Sequence, residues 1–179
     1  MPLIERYKGT NKSLTFDEET LELLLDTQYG SAFAYMVLSI IYPLNHNYKF
    51  HQDHIHPKKY FNPSKLIKMG VEDEQLREQY LSSFNTISNL QLIQETENLE
   101  KNAIPFKDWV YSNYKDEELI NYKNLHFIPL DSDLSMINFL DFYKSRRAIL
   151  KSKLSQVLNV TKGENTVIEK SQIIEEELN

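Results

Sequence analysis

Chemistry in this chain concentrates in three short stretches. They are Phe50-His51-Gln52-Asp53-His54-Ile55-His56-Pro57, then Ser88-Asn89-Leu90-Gln91-Leu92, then Glu97-Asn98-Leu99-Glu100-Lys101-Asn102. An Asp-His pair at a strand end sets an oxygen donor beside an imidazole of near-neutral pKa, a combination that can hold a hard divalent cation and activate water. An Asn on a following helix can add a neutral oxygen ligand. A Lys three residues further on lies on the same helical face, where it can meet phosphate. His51, His54 and His56 also raise a zinc alternative, but strand alternation sends His54 and His56 to one face and His51 to the other, which does not converge on one tetrahedral ion. Cysteine is absent, which removes disulfides, thiolate zinc sites, Fe–S clusters and Cys nucleophiles.

These residues need a frame. Tyr48 to Ile55 (YKFHQDHI) favours an extended segment ended by Pro57, and Asn85 to Gln94 (NTISNLQLIQ) predicts a second short strand. Glu95 to Asn102 then predicts a helix, so the three stretches fall on a strand, a strand and a helix. Before them, Thr15 and Glu18 suggest a capping box opening a helix with Leu21, Leu24 and Leu25 on its apolar face. Ser31 to Tyr42 is apolar all round and predicts a central helix. Asn62-Pro63 starts a short helix closed by Gly70, and Asp73 to Phe84 predicts another. Pro105 to Asn113 predicts a further helix, and Asp131 or Ser132 is a candidate cap for a long one running to about Leu158. The expected fold class is mainly α, in the α+β sense: a helical domain with one embedded hairpin.

The chain has 179 residues, 41% hydrophobic, enough for one domain with a real core but not for two of full size. Its net charge of −6 argues mildly against a nonspecific nucleic-acid coat, yet the stretch from Glu164 onward holds five Glu and one Lys, so the acidity is concentrated at the end. The expected organisation is a helical domain over 1–162, with a motif core at about 48–104, and an acidic tail over 163–179 that frays or stays disordered. The longest apolar run, Ser31 to Tyr42, falls well short of the ~20 residues of a membrane crossing. No membrane association and no secretory signal are expected, and the composition suits the cytoplasm.

In order, Asp-His-Ile-x-Pro, Asn-Leu-x-Leu and Asn-x-x-Lys resemble the motif of HNH, or His-Me finger, nucleases. The run from Leu21 (LELLLDTQYGSAFAYMVLSIIYP) through FHQDHIHPKKYF to SNLQLIQETENLEKNAIPFKDW is similar to the C-terminal nuclease domain of GmrSD-type, modification-dependent restriction proteins. The resemblance covers about residues 20 to 110, with Ser145-Arg146-Arg147 also fitting that domain's ending. It implies a ββα-metal motif and a metal-dependent endonuclease acting on DNA, double-stranded foremost, in restriction or phage defence. On this reading His54 is the general base, Asp53 and Asn98 hold one Mg²⁺ or Mn²⁺, and Asn89 fixes the loop or orients His54. The third motif position is often His in the family and is Asn98 here. His56 stands where related domains often carry an apolar aromatic residue. Lys101 is the favoured phosphate contact, with Lys58 and Lys59 as a basic rim. Arg147 either snorkels from an apolar stripe or points into the site to grip phosphate. The family places a nucleotide-hydrolysing and sensing domain beside the nuclease; with only four Gly and no phosphate-cradling loop, this chain is expected to lack it and to depend on a separate domain or subunit. Two alternatives stand beside this reading: an inactive DNA-binding or interaction module of the same fold, and an RNA-directed toxin.

Overall fold

A computed structural model describes residues 16–45 and 47–160. Among them the chain is mostly helical, with a two-stranded antiparallel sheet. In chain order the elements are α1 (Glu18–Leu25), α2 (Ala32–Ile41), β1 (Phe50–His54), α3 (Pro63–Lys68), α4 (Glu74–Ser83), β2 (Leu90–Gln94), α5 (Glu95–Lys101), α6 (Phe106–Asn113), α7 (Asp116–Leu125) and α8 (Phe139–Val157). Short 3-10 turns at Lys58–Tyr60, Ile87–Asn89 and Met136–Asn138 join some of them.

The first four helices start at a side-chain cap. Asp17 accepts from the Thr20 backbone at 2.8 Å and so caps α1, while the expected cap at Thr15 lies outside the described residues. Ser31, Asn62 and Asp73 cap α2, α3 and α4 in the same way, and Pro63 takes the first turn of α3, where a missing N–H costs nothing. Helix α2 differs from the expectation of a central helix. Ala34, Val37, Leu38 and Ile41 are buried, but Phe33, Tyr35 and Met36 are exposed, so one face is packed and the other is not. Two further differences concern the second half. Helix α7 has no apolar stripe for periodicity to read, its buried residues being the adjacent Tyr122 and Lys123, and the long helix starts at Phe139 rather than near Asp131.

Helix α8 organises the core. Its first turns (Phe139, Leu140, Phe142, Tyr143) pack with Ile55, Phe61, Tyr80, Phe106, Trp109 and Tyr122, and its later turns (Leu150, Leu154) pack with α1, α2 and β2. Between these clusters sits Arg146, fully buried. Its guanidinium donates to the carbonyls of His126 (3.1 Å), Ile87 (3.1 Å) and Leu90 (2.8 Å). A buried cation is tolerated only when its donors are satisfied, and here backbone dipoles do that while fastening the start of β2 to α8. The expected tail over 163–179 lies outside the described residues. No helix among the described residues is long and apolar enough to cross a membrane.

Candidate functional site

Strands β1 and β2 pair with Asp53 opposite Gln91 and His54 opposite Leu90. Beyond His54 the ladder continues for one more bond, from the Ile55 N–H to the Asn89 carbonyl at 2.8 Å. The Asn89 side chain completes the joint. Its Oδ1 accepts from the His56 backbone N–H (2.9 Å), and its Nδ2 donates to the carbonyls of His56 (3.1 Å) and Phe84 (2.8 Å). A fully buried amide with its donors and acceptor used in this way locks the turn after β1 to the turn before β2. Asn89 makes no hydrogen bond to the His54 ring, so it anchors the loop and leaves the ring to another partner.

That partner is Asn85, which sequence reasoning missed. The His54 Nε2 lies 3.0 Å from Asn85 Oδ1, and Tyr29 and Phe84 lie against the imidazole at ring distances of 4.4 and 6.0 Å. The only available signal was a polar Asn directly before the second strand, and such residues usually serve their own turn. Burial pushes the His54 pKa down from its ordinary value, opposed by the Asn85 hydrogen bond and the nearby Asp53 charge. Nδ1 makes no hydrogen bond with any described residue and is not among the buried atoms left without a partner. Among the described residues it is the ring nitrogen that no hydrogen bond occupies.

The connection between α1 and α2 presses on the same site. Gly30, at φ +82°, adopts a turn that L side chains rarely allow, and its N–H donates to Gln52 Oε1 at 3.1 Å. Gln52 in turn donates to the Ser31 carbonyl at 3.0 Å. Tyr29 is thereby carried over His54.

Helix α5 leaves β2 without a loop and folds back on β1. Lys101, one turn after Asn98, is fully buried, and its ammonium donates to Asp53 Oδ2 (2.7 Å) and to the His54 carbonyl (2.6 Å). This corrects its expected role as a phosphate contact, because no surface remains from which Nζ could reach a solvent-borne anion. Burial lowers the Lys101 pKa, and the Asp53 charge opposes that shift. Gln91 Nε2 shares Asp53 Oδ2 at 3.0 Å and is itself steadied by Tyr122, whose hydroxyl donates to Gln91 Oε1 at 3.2 Å. Beside them, burial raises the Glu97 pKa, and Tyr114 donates to its carboxylate at 3.2 Å.

A second correction concerns Arg147. Its guanidinium pairs with Glu22 (2.6 Å) and Asp26 (2.8 Å) of α1, so it ties α8 to α1 and does not point to the hairpin. The buried guanidinium is its neighbour Arg146. Lys58 and Lys59 are exposed in the turn after Pro57, and the Lys58 charge is felt at His54. The three clustered histidines enter three different surroundings. His51 is exposed, His54 lies between a tilted Tyr29 and a stacked Phe84, and His56 is buried among Phe106, Phe139 and Phe142.

Among the described residues, no group of three His, Asp or Glu side chains is placed to share a metal ion. Asp53 Oδ1 accepts no hydrogen bond from a described residue, and Asn98 is half-buried on α5 one turn before Lys101. A carboxylate and an amide are hard oxygen donors, the chemistry that Mg²⁺ and Mn²⁺ take. No protein-family model matches the chain, and no curated protein matches it.

Proposed function

We propose that this chain is a metal-dependent endonuclease domain of the HNH, or His-Me finger, type that hydrolyses DNA phosphodiester bonds. The observation that supports it most is the convergence of three separated sequence stretches on Asp53-His54: β2 pairs with it, Asn89 pins the turn behind it, and α5 folds onto it. Asp53 and Asn98 would hold Mg²⁺ or Mn²⁺, which when bound stabilises negative charge growing on the phosphate. His54 takes a proton from the attacking water. The low exposure of His54 and its lowered pKa keep the ring neutral, and so able to accept that proton, at neutral pH. Lys58 and Lys59 stand at the rim, where they can meet the backbone phosphates without reading bases. A role as effector of a restriction or phage-defence system, directed by a separate nucleotide-hydrolysing and sensing component, follows from the same resemblance.

One observation favours a second reading. The Lys101 ammonium already sits on one oxygen of Asp53, and that internal cation would suit a module that keeps the fold and binds DNA without cutting it. Plasmid nicking and cleavage by the chain and by His54→Ala, with Mg²⁺, Mn²⁺ or EDTA, separates the two. Cleavage that needs both metal and His54 supports the nuclease. Unchanged cleavage by His54→Ala eliminates the base assignment, and no cleavage by folded protein under any of these conditions favours the binding module. RNA and single-stranded DNA in the same assay address the RNA-directed alternative.

A further inference from the structure

The hydrogen bonds around His54 have a direction. A backbone carbonyl can only accept, so the Asp26 carbonyl turns the Gln28 amide nitrogen toward itself at 3.3 Å. That leaves Gln28 Oε1 to accept from Asn85 Nδ2 at 3.0 Å, and the Asn85 oxygen then faces His54 Nε2 at 3.0 Å. Backbone contacts hold the relay in place: the Tyr29 N–H donates to the Asn85 carbonyl at 2.8 Å, and Gln28 forms an isolated β-bridge with Thr86. Gln28 is exposed and Asn85 half-buried, so Asn85 carries most of the constraint.

We infer that Asn85, backed by Gln28, is a positioning residue that holds neutral His54 as the Nε2–H tautomer and so makes Nδ1 the nitrogen that takes the proton. The role in catalysis rests on the nuclease reading; the tautomer does not. In the reaction, a water O–H proton moves to Nδ1 as the water oxygen forms its bond to phosphorus. The P–O3′ bond breaks, and the departing oxygen takes a proton from solvent. The imidazolium then carries protons on both nitrogens, and Asn85 Oδ1 accepts the one on Nε2, which favours the charged ring. A ring in the other tautomer would present an N–H to the water and could not act as base, the kind of loss seen when a triad histidine is left in the wrong tautomer.

The test is ¹⁵N NMR of the imidazole rings near pH 8, where an ordinary histidine is neutral, with His54 assigned by its loss in His54→Gln. The wild type is expected to carry its proton on Nε2. Asn85→Asp, which keeps an acceptor, should retain that tautomer and move the Nε2–H resonance downfield through a stronger, charge-assisted bond. Asn85→Leu should yield a mixture of tautomers and, in cleavage, a fall in kcat of about ten-fold or more with KM little changed, general-base assistance being worth roughly a hundred-fold or more. A wild-type proton on Nδ1, an unmoved tautomer in Asn85→Leu, or an unmoved Nε2–H resonance in Asn85→Asp overturns the inference. If the tautomer responds as expected but the wild type cuts no nucleic acid, the positioning stands and the nuclease reading fails. Should Asn85→Leu not fold, the wild type and Asn85→Asp still decide the matter.

Discussion

Acid should unfold this protein through two buried histidines, and replacing one of them should blunt the effect. Burial drives His56 and His126 down to about 3, against an ordinary value of about 6.5. His56 is enclosed by three phenylalanines, and its Nε2 has no hydrogen-bond partner. Because the unfolded chain binds protons at these positions first, their contribution to stability is complete above about pH 6.5 and is lost as pH falls toward 3. For one such histidine the loss between about pH 7.5 and pH 5 comes to about 2 kcal/mol, and for both about 4 kcal/mol. His56→Phe suits the aromatic surroundings, removes an unpartnered polar atom, and keeps the backbone groups that Asn89 binds. Urea unfolding followed by far-UV circular dichroism at the two pH values gives the comparison. The variant should lose about 2 kcal/mol less than the wild type over that interval. Parallel losses in the two proteins, within a few tenths of a kcal/mol, would show that His56 is not held neutral by burial and would refute the reasoning.

The remaining predictions concern the hairpin. His54→Ala should abolish cleavage while unfolding curves and Mn²⁺ binding by calorimetry stay close to wild type; lost metal binding would implicate His54 as a ligand instead. Asn98→Ala should raise the Mn²⁺ concentration needed for half-maximal cleavage, and an unaltered titration would remove Asn98 from the metal. Lys101→Met strands the Asp53 carboxylate against β2 and should cost about 3 kcal/mol, the low end for a broken buried pair because Asp53 keeps some contact with solvent. Added Mn²⁺ should restore part of that stability in Lys101→Met, as a cation binding only the folded state must, and urea curves with and without the metal check both statements.

The α+β class with most of its helix starts, the strand at Asp53-His54, the second strand after Asn89 and the helix carrying Asn98 were all legible in the sequence. Each depends on local rules: a capping side chain, a proline at a first turn, a short β-rich run bounded by breakers. Helix α7 escaped because tertiary contacts of Leu119, Tyr122 and Lys123, not periodicity, hold it. What local rules could not supply is which neighbour of a pair turns inward. Arg146 and Arg147 are adjacent and alike, yet one is buried on three carbonyls and the other is paired with α1 on the surface side, a choice made by the packing of α8 against both α1 and the turn that leads into β2. Lys101 shares a helix face with Asn98, as its spacing required, but the docking of α5 on β1 turned that face inward and made the lysine a partner of Asp53. The contact of Asn85 with His54 joins residues 31 positions apart, and Gln28 meets Asn85 across 57. Sequence alone determined which side chains are available for chemistry and on which elements they ride. Tertiary packing decided which nitrogen of His54 meets Asn85 and which oxygen of Asp53 meets Lys101 and Gln91, because a buried polar atom takes whatever partner the folded neighbours bring within reach.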